Sequence, residues 1–267
     1  MNLLSLDEIK QIEFDLLKHF DTFCRENDIR YVLSNGTLLG AVKYKGFIPW
    51  DDDVDVLVPR EDYDRLIATF QDGDGICLMS AEREPRYIYP FAKFCDTTTV
   101  KDETSLDNGV TLGLNIDVFP LDTWDDDLEN AKREARKIKK TISRLSLSKL
   151  RRPNAPSAIK RMAQAVLMVG CKLVGSQKFM RDLVAMSNRN DQAGSRYLGC
   201  KIWCIYGERE IIPAEVFADS VEVMFEGQAF PAPIGYDTYL RSLYGDYEQD
   251  PPADKQKTHH SFEAYRL

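Results

Sequence analysis

Ile9, Ile12, Leu16, Phe20 and Phe23 recur at helical spacing behind Ser5-Leu6-Asp7-Glu8, which has the form of a capping box. An amphipathic helix is therefore predicted over 6–26, with His19 beside its stripe in a structural role. A short strand at 30–34 leads through Asn35-Gly36-Thr37 into a helical run at 38–43. A strand at 53–58 follows, and Pro59 opens another helix. β-branched and aromatic residues mark strands at 76–80, 89–95, 98–101 and 113–119. The period then changes. A long helix starts behind Asp125-Asp126-Asp127 with apolar positions Leu128, Ala131, Ala135, Ile138, Ile142 and Leu145, and Arg152-Pro153-Asn154-Ala155-Pro156 breaks it. Helices at 157–174 and 177–190 follow. Strands return at 197–205 and 221–225, with a turn at Glu226-Gly227-Gln228, and a helix at 236–243 runs into a polar tail.

The order describes an α+β protein: a mixed-sheet core in one catalytic domain spanning 1–267, with a helical section at 125–192 inside it. Charge sharpens that division. The chain carries a formal net charge of −8, yet Lys132 to Arg161 holds twelve Lys and Arg against one acid, Glu134. A basic segment in an acidic chain faces either solvent or an acidic partner, such as an anionic polymer or membrane surface. The six cysteines are scattered without a C-x-x-C pair and read as reduced thiols. MNLLSLDEIK lacks a basic flank and apolar core, so a cytoplasmic protein is expected, and no apolar run reaches membrane-spanning length.

Candidate chemistry gathers in SNGTLLGAVKYKGFIPWDDDVDVLVP, residues 34–59. Residues two apart in a strand share a face, so Asp53 and Asp55, and Asp51 if the strand extends back, stand together while Val54 and Val56 face the core. Such crowded carboxylates suit a hard divalent cation, Mg²⁺ or Mn²⁺. The second triplet, Asp125 to Asp127, precedes a helix, where acids favour the positive end of the dipole, and is structural. Asp117 is one acid in the apolar strand Asn115-Ile116-Asp117-Val118-Phe119. A neighbouring position would make it a third ligand or a general base. Gly36-Thr37 at a helix start lets a backbone approach an anion, although both are also ordinary capping residues. Lys43 and Lys45 lie nearby, and Lys93 interrupts Pro90-Phe91-Ala92-Lys93-Phe94, where it either reaches a phosphate or snorkels to solvent.

The tail, with Tyr244, Asp246 and His260, either closes over a site or is solvated. P-loop and dinucleotide fingerprints are absent, a zinc site is not supported by three histidines, and no nucleic-acid partner is expected. The helix at 157–174 either packs on its neighbours or rests on a membrane.

GTLLGAVKYKGFIPWDDDVDV, NIDVFPLD and YGDY-x₃-PP-x₇-H-x-F-x-AYRL resemble the signature blocks of the LicD family, and the resemblance spans essentially the whole chain. It implies a nucleotidyltransferase-like fold and a phosphotransferase that moves phosphocholine from CDP-choline to a sugar hydroxyl of teichoic acid or lipopolysaccharide, as fukutin-type relatives move ribitol phosphate. Gly36-Thr37, Asp53-x-Asp55 and Asp117 match the superfamily's turn, D-x-D strand and third acid, with Thr in place of Ser. Asp51 matches an extra acid. Lys43 stands where many members have Arg, and Gln256 where a basic residue is frequent. The resemblance implies Mg²⁺ held by Asp51, Asp53, Asp55 and Asp117, with Asp53, Asp55 and Asp117 catalytic. Gly36, Thr37, Lys43, Trp50, Lys93, Tyr244, Asp246 and His260 would contact the CDP-alcohol donor or a glycan acceptor, free or lipid-linked, with Tyr89 joining Trp50 and Tyr244 around a choline. Two other readings use the same residues: transfer of NMP from an NTP, and a non-catalytic protein that binds glycan or membrane.

Overall fold

The computed structural model describes residues 2–103, 105–107, 109–187, 194–256, 258 and 262–267. Its chain order is β1 (Asn2–Leu3), α1 (Leu6–Glu26), β2 (Val32–Leu33), α2 (Asn35–Tyr44), β3 (Asp55–Pro59), α3 (Arg60–Thr69), β4 (Ile76–Met79), β5 (Ala92–Asp96), β6 (Thr99–Asp102) and β7 (Asn115–Thr123). There follow α4 (Leu128–Lys149), α5 (Ala158–Val174), α6 (Ser176–Ser187), β8 (Tyr197–Gly199), β9 (Ile212–Pro213), β10 (Ser220–Phe225), β11 (Gln228–Pro233), α7 (Tyr236–Tyr244) and β12 (Glu263–Arg266). Helices and mixed sheet make the protein α+β.

The main sheet runs β2-β3-β7-β5-β4, and β8 extends it from β7. Only the β3–β7 pair on that path is parallel, the others being antiparallel. β3 reads Asp-Val-Leu-Val-Pro, and its three central residues are buried, as expected for a strand covered on both faces. α1 covers one face with Leu16, Leu17, Phe20 and Cys24. The Phe20 ring stands edge-on to Tyr31 and Phe94 at 5.1 and 5.5 Å. The capping box forms as the sequence predicts: the Ser5 hydroxyl accepts from Glu8 N–H, and Ser5 N–H donates to the Glu8 carboxylate at 2.8 Å.

α4 buries Ala131, Ala135, Ile138, Ile142 and Leu145 against Phe179, Leu183 and Met186 of α6. Leu128, expected on that stripe, is exposed because the helix only begins there. The second acidic triplet caps as expected. Asp127 accepts from the N–H groups of Glu129 and Asn130, and Asp126 accepts from Arg196 N–H at 2.7 Å.

Several boundaries differ from the sequence pattern. The strand predicted at 53–58 begins at Asp55, leaving Asp51 and Asp53 in the preceding loop. α2 starts at Asn35, so Gly36 and Thr37 lie in its first turn. The strand predicted at 197–205 stops at Gly199. Beyond it Lys201 is fully buried, its ammonium 3.1 Å from Glu134 and stacked over Trp124, and that internal ion pair holds the segment in an irregular path. The end predicted for α6, Asn190, falls outside the described residues. The tail contains β12, which pairs with β6 and β1 and ties the two ends of the chain together.

Candidate active site

The parallel pairing of β3 with β7 sets Asp55 directly beside Asp117, and the antiparallel pairing of β7 with β5 sets Asp117 beside Lys93. One row across the sheet therefore reads Asp55, Asp117, Lys93. The sequence placed both acids on apolar strands, and the register brings them to the same level of the sheet.

Above this row opens a cavity of about 780 Å³ between α2, the loop before β3, and the segment after α7. Gly36, Lys43, Trp50, Asp51, Asp53, Asp55, Tyr244 and Asp246 all line it. Thr37 does not. Its side chain is buried, and its hydroxyl accepts the N–H of Asp55 at 2.8 Å, which joins the first turn of α2 to the first residue of β3. Lys43 reaches the wall, but its ammonium pairs with Asp250 at 2.6 Å and donates to the Tyr247 carbonyl. That bond fastens the chain after α7 across the cavity mouth. Lys93 is buried and paired with Asp117, and its ammonium lies 4.7 Å from the Tyr89 ring centre. Its burial excludes the solvent reading, and its ammonium faces Asp117. His260 lies outside the described residues.

Two close approaches shape the region, one in the cavity wall and one behind it. A Cβ on Gly36 would stand 2.6 Å from Asp51 Oδ2, so the carboxylate packs onto bare backbone. A Cβ on Gly46 would collide with the Glu226 carboxylate, which accepts Phe47 N–H at 3.1 Å. Glu226 and Gly227, at φ 48° and 79°, form the tight turn between β10 and β11, as a type I′ turn requires. That turn grips the loop leaving α2. Gly36→Ala is expected to push Asp51 out of place and lower turnover by about tenfold or more, with circular dichroism unchanged. Full activity in Gly36→Ala would show that Asp51 contributes nothing.

The electrostatics favour a cation. Burial first, then the charges of Asp53, Asp117 and Asp51, push the Asp55 carboxyl well above the usual aspartate range, and a hydrogen bond with Asn35 only partly opposes them. Burial disfavours the Lys93 ammonium, but Asp117 outweighs it and raises its pKa above the ordinary lysine value. Asn115 Nδ2 also donates to Asp117 at 2.7 Å. Among the described residues, no group of three or more His, Cys, Asp or Glu side chains is gathered closely enough to hold a metal ion. Mg²⁺ does not need such a group, since it is usually held by one or two carboxylates together with substrate phosphates and water. Asp53 and Asp55 on the cavity wall fit that donor set.

The structure adds residues to the cavity wall and its surroundings that the sequence pattern does not single out. Tyr44, Tyr206 and Tyr247 join Trp50 and Tyr244 as aromatic lining. Tyr206 and Tyr244 stand edge to face at 5.5 Å, with their hydroxyls hydrogen-bonded at 3.2 Å. Burial pushes the Tyr206 hydroxyl up to about 12, so it stays neutral. Tyr89 does not line the cavity. Its ring carries the Lys149 ammonium at 3.3 Å, and burial lowers the pKa of that lysine to about 7. Glu13 on α1 is fully buried, and neither of its carboxylate oxygens has a hydrogen-bond partner among the described residues. Burial above all, with Asp53, Asp52 and Asp117 adding to it, raises its pKa well above the usual glutamate value. The signal was present: Glu13 interrupts the stripe of Ile9, Leu16 and Phe20.

Residues 28–142 match the family model described as LicD/FKTN/FKRP, nucleotidyltransferase domain. The chain is 29% identical to the lipopolysaccharide cholinephosphotransferase LicD of Haemophilus influenzae, over all of both chains. It is also 43% identical over 49 residues to uncharacterized proteins of Rickettsia prowazekii and Rickettsia typhi, covering 18% of this chain. The matched segment contains the whole acidic row, so residues 28–142 are the part of this chain that matches a LicD-family domain.

Proposed function

We propose that the protein is a phosphotransferase that moves phosphocholine from CDP-choline to a sugar hydroxyl of a lipopolysaccharide-type glycan and releases CMP. The observation that carries this reading is the cavity itself, in which acidic side chains and several aromatic rings share one space beside the Asp55–Asp117 pair. A choline ammonium has no N–H to donate, and aromatic faces with nearby carboxylates are the groups that recognise it. The full-length likeness to a lipopolysaccharide cholinephosphotransferase supports the same transferred group and acceptor class.

In this reaction the acceptor oxygen attacks the phosphorus that carries choline. The bond from that phosphorus to the bridging oxygen breaks, and the electron pair leaves with CMP. Asp117, held by Lys93 and Asn115, takes the proton of the attacking hydroxyl. Asp53 and Asp55 would hold Mg²⁺, which would supply charge stabilisation at the diphosphate, and Asp51 beside Gly36 adds negative charge to the same wall. Trp50, Tyr206 and Tyr244 enclose the choline end and limit water near the reacting phosphorus. Mass spectrometry of the acceptor after incubation with CDP-choline is expected to show added phosphocholine. An acceptor left unmodified under every divalent-metal condition would reject this reading.

Trp50→Ala is expected to raise KM for CDP-choline by roughly three- to thirtyfold, the range of one cation–π contact. KM for a CDP-alcohol without positive charge is expected to change much less. Equal effects on both would place Trp50 away from the ammonium.

A second reading, transfer of a nucleotidyl group from an NTP, is favoured only by the name of the matching domain model. It requires pyrophosphate as product.

A further inference from the structure

We propose that α5 is a membrane-docking helix that lays its apolar face on an anionic lipid bilayer. In an ordinary surface helix the apolar stripe faces the core and the polar face meets water. In α5 that arrangement is inverted. Met168 is its only buried residue. Ile159, Met162, Val166, Val169 and Leu173 follow one another at spacings of three and four and are all exposed, Ile159 and Leu173 to more than four-fifths. At 100° per residue they form one continuous stripe, and Leu167 and Val174 widen it on one side. Gly170 lies within the same arc, and a Cβ there would meet nothing within 4 Å.

The helix is held in this pose rather than left loose. Ser157 caps its first turn. Gln164 Oε1 accepts the N–H groups of Asn154 and Ala155 at 2.8 and 2.9 Å, which folds the incoming chain onto the helix. Met168 on the opposite side anchors it, and α4 and α6 pack beside it.

Charge identifies the occupant. No Asp or Glu occurs between Glu134 and Asp182. Arg151, Arg152, Lys160, Arg161 and Lys172 are exposed around the apolar stripe. A second copy meeting this face by a two-fold axis would bring two such basic segments together without an acid to pair them. An anionic bilayer complements both features, taking the apolar side chains into the acyl boundary and the basic rim onto the headgroups. No described helix is long and apolar enough to cross a membrane, so the contact is parallel to the surface. Docking of this kind does not depend on which group the active site transfers.

The experiment uses the full chain and liposome flotation. Wild type is expected to float with vesicles of phosphatidylcholine containing about one-third phosphatidylglycerol, less with pure phosphatidylcholine, and less at high salt. The variant Val166→Glu/Leu173→Glu changes two exposed side chains, so its melting temperature is expected to match wild type, while flotation falls by about tenfold or more. Its phosphocholine transfer to a soluble sugar acceptor is expected to be unchanged. Wild type that fails to float with anionic vesicles would overturn the proposal, as would a variant that floats like wild type. A wild-type dimer that the same substitutions dissociate, without any flotation, would assign the face to self-association instead.

Discussion

Asp55→Asn is expected to lower turnover by on the order of 10²–10³-fold, the usual cost of removing a group that stabilises transition-state charge, while raising the melting temperature in metal-free buffer. The opposite signs follow from one fact. Asp55 is buried beside Asp117 and close to the charges of Asp53 and Asp51, and all of these oppose its ionisation. Asparagine keeps the shape and removes the charge, so a function-related strain is relieved. The gain is about 2–4 °C for each kcal/mol of relief in a protein of this size. Its pH dependence has a fixed sign. The folded-state pKa of Asp55 lies above the ordinary aspartate value of 3.8, so the native state holds the proton at pH values where the unfolded chain has released it. Stability from the wild-type carboxyl is therefore full below about pH 4 and is lost as pH rises through the folded-state pKa. The thermal advantage of Asp55→Asn should be absent near pH 3.5 and grow toward pH 8. Thermal melts across that range with paired rate measurements check both halves. Retained turnover, or a variant less stable than wild type at pH 8, would remove Asp55 from its assigned place.

Lys93→Met is expected to destabilise the protein by about 3–5 kcal/mol, the cost of leaving one member of a buried ion pair without its partner. The lysine is buried, and Asp117 keeps only partial access to solvent, which places the value toward the lower end of that range. Turnover falls as well, since Asp117 loses the contact that orients it. The double variant Lys93→Met/Asp117→Asn should recover much of the stability and none of the activity. A chemical-denaturation double-mutant cycle separates the pair's coupling from the separate effects. Additive losses would mean that the two side chains act independently.

How much of this was legible in the sequence varies with the physics of each position. Asp117 could be read because a lone acid in an apolar strand is costly without a partner, and Asp55 because acids at alternate positions run into a buried-strand pattern. The capping box at Ser5 could be read because it is local. Lys93 could not be resolved between phosphate and solvent, because its partner lies twenty-four residues away and only strand register brings them together. Cys200-Lys201-Ile202-Trp203-Cys204 has strand-like composition yet forms an irregular segment, because the Lys201–Glu134 pair is a tertiary contact. Tyr206 and Tyr247 carry no local mark of a binding wall. α5 shows the limit most plainly, since an apolar stripe in sequence reads the same whether it meets a core or a membrane.

The measurement closest to the central claim is product analysis with purified protein, Mg²⁺, a lipopolysaccharide-type acceptor, and separate CDP-choline and CTP arms. CMP release from CDP-choline that depends on the acceptor, is lost in Asp53→Ala and Asp55→Ala, and is accompanied by no pyrophosphate from CTP is the expected result. Pyrophosphate from CTP without any CMP from CDP-choline would contradict it and assign the acidic row to nucleotidyl transfer.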